Sequence, residues 1–251
     1  MKQQRAFLKS GDWPAWERIE TDQRRGVPPP PLEKPAPPGA ARIDLVAPDR
    51  LTVGALPLIE AIRRRRSRRK YTRDALSLEE LSFLLWATQG VEKIIAEGKV
   101  SLRTVPSAGA RHPFETYLLV NRVDDLAPGL YRYLPLEHQL CLLKAEEGLA
   151  AAIDAACFEQ YVLNSAVTFL WTALPGRTEW RYDILAHRVI LMDAGHVCQN
   201  LYLACEAIAA GTCAIGAYDQ ERLDALLGVD GQDEFVIYLA PVGRIGQSAG
   251  D

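Results

Sequence analysis

The sequence predicts an α+β fold, on three observations. Runs of strand length at 115–121, 166–173 and 234–240 are rich in β-branched and aromatic residues. Stretches with apolar residues three to five apart fall between them, the longest covering 181–211. No strand–helix–strand unit repeats, and GLYRYLPLEHQLCLL reads as two short strands around a turn containing Pro135.

In chain order, residues 1–55 read as an extended N-terminal arm and residues 56–251 as the folded domain. The arm opens with Phe7, Leu8, Trp13 and Trp16, enough apolar surface to dock. TDQRRGVPPPPLEKPAPPGA follows and must run extended, mostly as polyproline II. The arm is expected to lie on the body or on a partner subunit. Leu56, Leu58, Ile59 and Ile62 give the next segment one apolar helical face, which predicts a packed helix. Ser77 and Glu80 form a capping-box pattern opening a helix whose buried face is Leu78, Leu81, Leu84, Leu85 and Trp86, with Gly90 as its stop. A loop around 101–113 feeds the strand at 115–121. After the hairpin, 146–160 is alanine-rich and helical, and 166–173 is a buried strand. The proline-free stretch 181–211 is one or two consecutive helices of core or interface type. Asp219 caps a short helix ending at Gly228, and the last strand, 234–240, leads into PVGR, 241–244.

Composition excludes several classes. Five cysteines form no CxxC and no Cys/His metal spacing, so reduced thiols in a cytoplasmic protein are expected, with no metal. No apolar run reaches membrane-spanning length, so no membrane partner is expected. The formal net charge is −3, which argues against general nucleic-acid binding. Against that balance, seven of the eight residues from 63 to 70 are cationic, with Ser67 among them. Like charges at that density repel unless an anion or acidic partner lies near. A solvated helix end or a nucleic-acid patch would satisfy the same charges; arginines clasping a phosphate around a serine hydroxyl is the sharper reading.

No nucleotide, zinc-protease or serine-hydrolase spacing is present. Two further places suit a ligand. PSAGA, 106–110, is a run of small residues that lets backbone amides approach a flat or anionic group, or is simply a turn. GTCAIGA, 211–217, is again small, and is otherwise a helix end with a short strand. Arg244 follows the last strand.

RRRRSRRKY, PSAGARHPFE, DAGHVCQNLYLACEA, GTCAIGA and YLAPVGR, in this order and spacing, resemble the SagB-type dehydrogenases of the nitroreductase superfamily. The resemblance covers about 56–246. It implies a nitroreductase-like fold with a central, mostly antiparallel sheet flanked by helices, and FMN bound at a homodimer interface. It implies that Arg65, Arg66, Ser67 and Arg69 open the flavin site, Arg65 with Arg244 on the phosphate and Arg69 at the ring edge. Pro106, Ser107 and Ala108 match a loop that commonly reaches the flavin of the other subunit. Ile215 and Gly216 match the segment whose N–H faces flavin N5, and Gln160 a side chain on the flavin carbonyls. Family members oxidise azoline rings in peptides, so a small-molecule or peptide substrate is implied. Azoline-oxidising members carry a Lys-Tyr pair where this chain has Arg181-Tyr182. Arginine cannot serve as a base, so the catalytic expectation rests on Tyr182 with Arg181 favouring its phenolate or anchoring an anion. Pairing of Arg181 with Asp183 or Glu179 at a helix start is the structural alternative. An NAD(P)H-dependent nitro or quinone reductase and a non-catalytic flavin- or nucleic-acid-binding module remain as alternatives.

Overall fold

The computed structural model describes residues 2–11 and 13–246. In chain order these form α1 (Lys2–Phe7), β1 (Arg42–Asp44), α2 (Leu58–Arg64), α3 (Leu78–Gln89), β2 (Val91–Ile95), β3 (Val100–Arg103), β4 (Phe114–Val120), β5 (Gly129–Leu134), β6 (Gln139–Lys144), α4 (Leu149–Ala156), β7 (Val167–Ala173), α5 (Gly176–Tyr182), α6 (Ala186–Ala207), β8 (Ala210–Thr212), α7 (Gln220–Leu227) and β9 (Phe235–Arg244). Seven strands make one sheet in the order β1-β6-β5-β4-β7-β9-β8, antiparallel at every pairing. The α+β architecture is therefore as expected.

Strands β4 and β7 are buried along their whole length because helices cover both faces of the sheet. The two-residue strand period divides their side chains. Leu118 and Val120 join Phe169, Trp171, Leu84, Val197 and Leu201 on the face under α3 and α6. Tyr117, Leu119 and Leu170 join Ile153, Leu223 and Leu239 on the face under α4 and α7. Helix α6 turns Ile190, Ala194, Val197, Leu201 and Ala204 inward at three-to-four-residue steps. Local chemistry fixes the other ends as the sequence predicts. Ser77 Oγ accepts from Glu80 N at 3.1 Å while Ser77 N donates to Glu80 Oε2 at 2.8 Å. Asp219 Oδ1 accepts from Arg222 N at 3.2 Å, and Gly228 closes α7 with φ at 75°.

Five places differ from expectation. The β2–β3 hairpin was not legible as strand, because it is mostly exposed and lies outside the main sheet. The helix within 146–160 is the shorter α4, and β9 runs on through Pro241 to Arg244. β1, inside the arm, adds a seventh strand by pairing with β6. Helix α2 forms, but its apolar face does not pack: Leu58 is 64 %, Ile59 57 % and Ile62 57 % exposed, and Ala61 alone is buried. Nothing in the same chain covers it.

The arm lies on its own chain, held by buried charges. Arg132 NH2 donates to the Lys34 and Pro35 carbonyls at 2.9 and 2.8 Å, and Arg103 NH2 to the Leu32 carbonyl at 3.0 Å. Glu115, 2 % exposed, accepts from Lys34 N at 2.8 Å and from Arg177 NH2 at 2.5 Å. A proline-rich strand has no intrachain partners for its carbonyls, so it can satisfy buried guanidiniums that would otherwise be costly.

His112 gives a test of this interior. It is 4 % exposed, and burial, with the charges of Arg103 and Arg111 added, pushes its pKa from the ordinary 6.5 down to about 3. The unfolded chain therefore binds a proton in a window where the folded chain does not. That contribution to stability is full above pH 6.5 and falls with pH toward 3, by about 1.4 kcal/mol per unit. Denaturant unfolding at pH 7 and pH 5 should show the wild type losing more stability than His112→Gln. Equal losses would mean that His112 titrates normally.

Candidate active site

The cationic turn after α2 is fastened to the end of the sheet. Ser67 bridges Thr212 of β8 in parallel register, and Arg68 N donates to the Thr212 carbonyl at 2.9 Å. A Cβ on Gly211 would sit 2.5 Å from Arg68 Cβ, so glycine is what permits the turn to approach. Tyr202 of α6 ties the corner: its hydroxyl lies 3.3 Å from Ser67 Oγ and accepts from Ala214 N at 2.9 Å, and the Arg65 guanidinium stands 5.6 Å from its ring centre. Ile215 exchanges backbone hydrogen bonds with Leu239 at 2.8 and 3.2 Å. Gly216 is then exposed, with open space where a Cβ would be. Gln160 reaches the same segment, donating to the Ala217 carbonyl at 2.8 Å and to that of Cys157 at 2.7 Å. Ser67, Ile215, Gly216 and Gln160 thus converge at one corner.

The charges there are largely uncompensated. Glu60 takes Arg63 at 3.2 Å and Arg64 at 3.6 Å. Among the described residues, no carboxylate lies within 4.0 Å of Arg65, Arg66, Arg68, Arg69 or Lys70. Arg244 differs from the expectation that it joins Arg65 on a phosphate. Its NH2 is 2.7 Å from Glu80, its NH1 donates to the Ile208 carbonyl at 2.7 Å and its Nε to that of Ala75 at 3.4 Å. It ties α3 to the C-terminal end of α6, where a cation is favoured.

A second group of predicted residues gathers elsewhere. Ser107 Oγ donates to Asp193 Oδ2 at 2.6 Å, Ala108 N donates to it at 3.0 Å, and His112 N donates back to Ser107 Oγ at 2.9 Å. Burial pushes the Asp193 carboxyl up, against the lowering effect of the Ser107 and Ala108 donors. Asp193 received no role from the sequence. A single acid in step with Ile190, Ala194 and Val197 on the buried face of α6 was the available signal. Pro106, at the loop's start, is exposed.

Arg181 and Tyr182 close this second group from the last turn of α5, a helix end where a start was expected. Gly109 has φ at 58°, and a Cβ there would be 2.5 Å from Arg181 Cδ and 2.9 Å from the Tyr182 hydroxyl. The arm lies on the other side: Trp13 meets the Tyr182 ring edge-on with centroids 6.0 Å apart, and Trp16 lies tilted against it at 5.6 Å. Arg181 NH1 donates to Gln23 Oε1 at 3.3 Å. It pairs with neither suggested acid, since Glu179 contacts His187 at 2.8 Å and Asp183 Oδ1 accepts from Ile184 N at 2.6 Å. Asp193 and Tyr202 stand nine residues apart on α6, about 14 Å along its axis. The predicted site residues therefore form two groups, each at its own place on one helix.

An antiparallel sheet flanked by helices, with a cationic turn at one corner and a small-residue loop along its long helix, defines the class of α+β protein. The chain belongs to the nitroreductase family, whose sequence profile matches residues 62–244. It is similar to a protein of Methanocaldococcus jannaschii assigned as a nitroreductase, 34 % identical over 195 residues that cover 75 % of this chain and 94 % of the other. It is also similar to the trifolitoxin-processing protein TfxB of Rhizobium leguminosarum bv. trifolii, 26 % identical over 62 % of this chain and 44 % of that one. Among solved structures, one assigned as a nitroreductase from Ralstonia eutropha superposes with a TM-score of 0.66 at 26 % identity, over 88 % of this chain and 99 % of that one. Another so assigned, from Desulfovibrio desulfuricans and in complex with FMN, shares the fold with a TM-score of 0.52 at 19 % identity, over 78 % of this chain and 90 % of that one.

Gly109→Ala should disturb the second group. The left-handed backbone alone costs about 1–2 kcal/mol with a Cβ present, and the new methyl must displace Arg181 or Tyr182. Denaturant unfolding should show a loss of at least that size, with an altered near-ultraviolet dichroism from Tyr182 and its tryptophan neighbours. An unchanged unfolding midpoint and spectrum would mean that the loop relaxes freely.

Proposed function

We propose that the chain is an FMN-dependent oxidoreductase that works as a homodimer, each flavin held between the cationic corner of one protomer and the 106–108 loop of its partner. The observation that carries this reading is the set of five unneutralised cations from Arg65 to Lys70 beside the open backbone at Gly216. Such a donor set fits a phosphate dianion joined to a planar group. Arg65, with Arg66 and Ser67, would hold the phosphate, and Arg69 the electron-rich ring edge. The Ile215–Gly216 backbone would face the reactive position, and Gln160 would reach the ring carbonyls. Arg244 supports the corner from behind through Glu80. When bound, the flavin supplies hydride exchange at N5.

Two observations favour the dimer. The Leu58, Ile59 and Ile62 face of α2 is bare, as are Leu191 and Met192 on α6, 49 % and 45 % exposed. The 106–108 loop also lies about 14 Å along α6 from the corner it is proposed to complete. A partner copy would cover the first and supply the second.

The proton that accompanies hydride removal falls to Tyr182, the acid–base side chain beside the loop, because Arg181 stays charged. The likeness to TfxB, a protein named for processing trifolitoxin, supports a peptide or other natural product as substrate. A second reading, NAD(P)H-driven reduction of nitro compounds or quinones, is favoured by the nitroreductase assignment of the archaeal relative. Five free, buried cysteines fit a reducing cytoplasmic setting. No helix among the described residues is long and apolar enough to cross a membrane.

Freshly purified protein should be yellow with an FMN spectrum, and light scattering should give a dimer. Charge-assisted hydrogen bonds contribute about 1.5–3 kcal/mol each, so Arg65→Ala with Arg69→Ala should strip the flavin. Full occupancy in that double variant would show that other residues hold the phosphate. Tyr182→Phe should keep FMN and slow flavin reduction by a substrate about ten- to a thousandfold. Anaerobic mixing with NADPH separates the two readings, since rapid bleaching belongs to a reductase.

A further inference from the structure

The second group contains two guanidiniums that no carboxylate among the described residues neutralises. Arg111 is 4 % exposed; its NH2 donates to the Lys99 carbonyl at 3.2 Å, its Nε has no partner, and its charge lies 4.9 Å from the Trp180 ring centre. Arg181 is half-buried, also with an unpartnered Nε, and its single side-chain acceptor is the neutral Gln23 amide. Among the described residues no carboxylate comes within 4.0 Å of either, and the acids nearest in sequence, Glu179 and Asp183, are engaged elsewhere. The two are close enough that, after burial, the charge of Arg181 is the largest influence lowering the Arg111 pKa. The other buried guanidiniums of this region are better met: Arg177 has Glu115, and Arg103 donates to the Gln89 amide and the Leu32 carbonyl. An interior that leaves two like charges together without a counterion is costly unless an anion arrives.

The surface beside them is aromatic. Trp13, Trp16 and Tyr182 make a contiguous wall, with Trp13 and Trp16 5.8 Å apart and both against Tyr182. The segment carrying the tryptophans is fixed in place. Gln23 N donates to the Trp180 carbonyl at 2.9 Å and Trp180 Nε1 to the Val27 carbonyl at 2.7 Å. Arg24 NH1 donates to the Trp16 carbonyl at 2.6 Å while its guanidinium stands 4.5 Å from the Trp16 ring centre. A tail with no role would leave its tryptophans anywhere; this one puts both on the residue proposed to move the proton.

We infer that residues 13–24 of the arm complete a substrate subsite, in which Trp13, Trp16 and Tyr182 stack a planar ring and Arg181 with Arg111 binds a carboxylate, so that the preferred substrate is an aromatic or heteroaromatic acid. Stacking holds the ring without regard to its substituents, whereas the guanidinium pair selects the anion. This deepens the proposed function and rests on it in one respect, that the 106–108 loop faces the flavin. Binding itself requires no turnover.

The test is equilibrium binding of 2-naphthoate and of its neutral isostere 2-naphthamide to the purified protein, by calorimetry and tryptophan quenching, with FMN content read separately from the visible spectrum. The wild type should bind the acid at least tenfold more tightly than the amide. Arg181→Gln should abolish that preference and Arg181→Lys should restore part of it. Trp13→Ala with Trp16→Ala should weaken both probes by a similar factor and leave the preference intact. The inference is overturned if neither probe binds, if the two bind equally, or if the preference survives in Arg181→Gln, which would place the anion on the 63–70 run. Loss of FMN from Arg181→Gln would equally overturn it, by assigning that arginine to the cofactor. Absence of FMN from the wild type, by contrast, would sink the oxidoreductase reading while the probe measurements still stand on their own.

Discussion

The site depends on the seating of α6 against the sheet. Its inward residues from Ile190 to Cys205 are locked under β4, β7 and β9, so the helix can neither rotate nor slide without opening the main core. Asp193 and Tyr202 inherit that rigidity. Asp193 fixes the 106–108 loop, and Tyr202 fixes the turn around Ser67 and the strand end at Ala214. Each is a single side chain that binds a loop by its backbone, so the two loops are as well placed as the helix is. What the helix cannot do is bring them together, because about 14 Å of rise separates them. Helix α2, which packs on α6, keeps its own apolar face exposed.

The arm answers a different constraint. A sheet whose central strands bury Glu115, Arg132 and, nearby, Arg103 and Arg177 needs acceptors and donors that water cannot provide. Pairing Glu115 with Arg177 satisfies one charge of each sign and leaves guanidinium donors over. The proline-rich segment meets that surplus with its own carbonyls, and a strand that made ordinary sheet contacts would have none to offer. The prolines keep residues 30–38 extended without competing hydrogen bonds, which makes the composition of the arm and the charge of the core two halves of one arrangement.

Much of this was legible in the sequence for reasons that can be named. The capping box at Ser77, the Asp219 cap, and the buried strands of 114–120 and 167–173 depend on residues close together in the chain, and each was read correctly. The β2–β3 hairpin was missed because an exposed hairpin has no buried face to impose a two-residue period. The α2 face was read as packed because periodicity reports that a face is apolar and is silent on what covers it. Asp193 and Arg111 were passed over for a related reason: a lone charge in an apolar stretch gives no hint of whether it is paired. Arg244 illustrates the converse. A terminal arginine in a family motif suggested a ligand contact, and the structure shows it holding Glu80, a residue whose capping role had already been read from its spacing to Ser77.

The distribution of carboxylates explains why both groups of residues carry unpaired cations in a chain of net negative charge. Glu60 takes only Arg63 and Arg64 at the start of the cationic run, and Glu80, Glu115, Glu179 and Glu234 each sit on a basic side chain outside the two clusters. Asp154, Asp193, Asp219, Asp224 and Asp230 accept from backbone N–H groups. Acids are thereby engaged as structural acceptors, and among the described residues the arginines of 65–69 and Arg111 and Arg181 are left without a carboxylate. Arginine rather than lysine at these places has a consequence of its own. A buried lysine can shed its proton and become neutral, but a guanidinium holds its charge and must be met by an anion. Arg181, unlike a lysine at the same place, cannot act as a base and can fix a carboxylate. Tyr182 lies beside it, under the arm, with its hydroxyl turned toward Gly109.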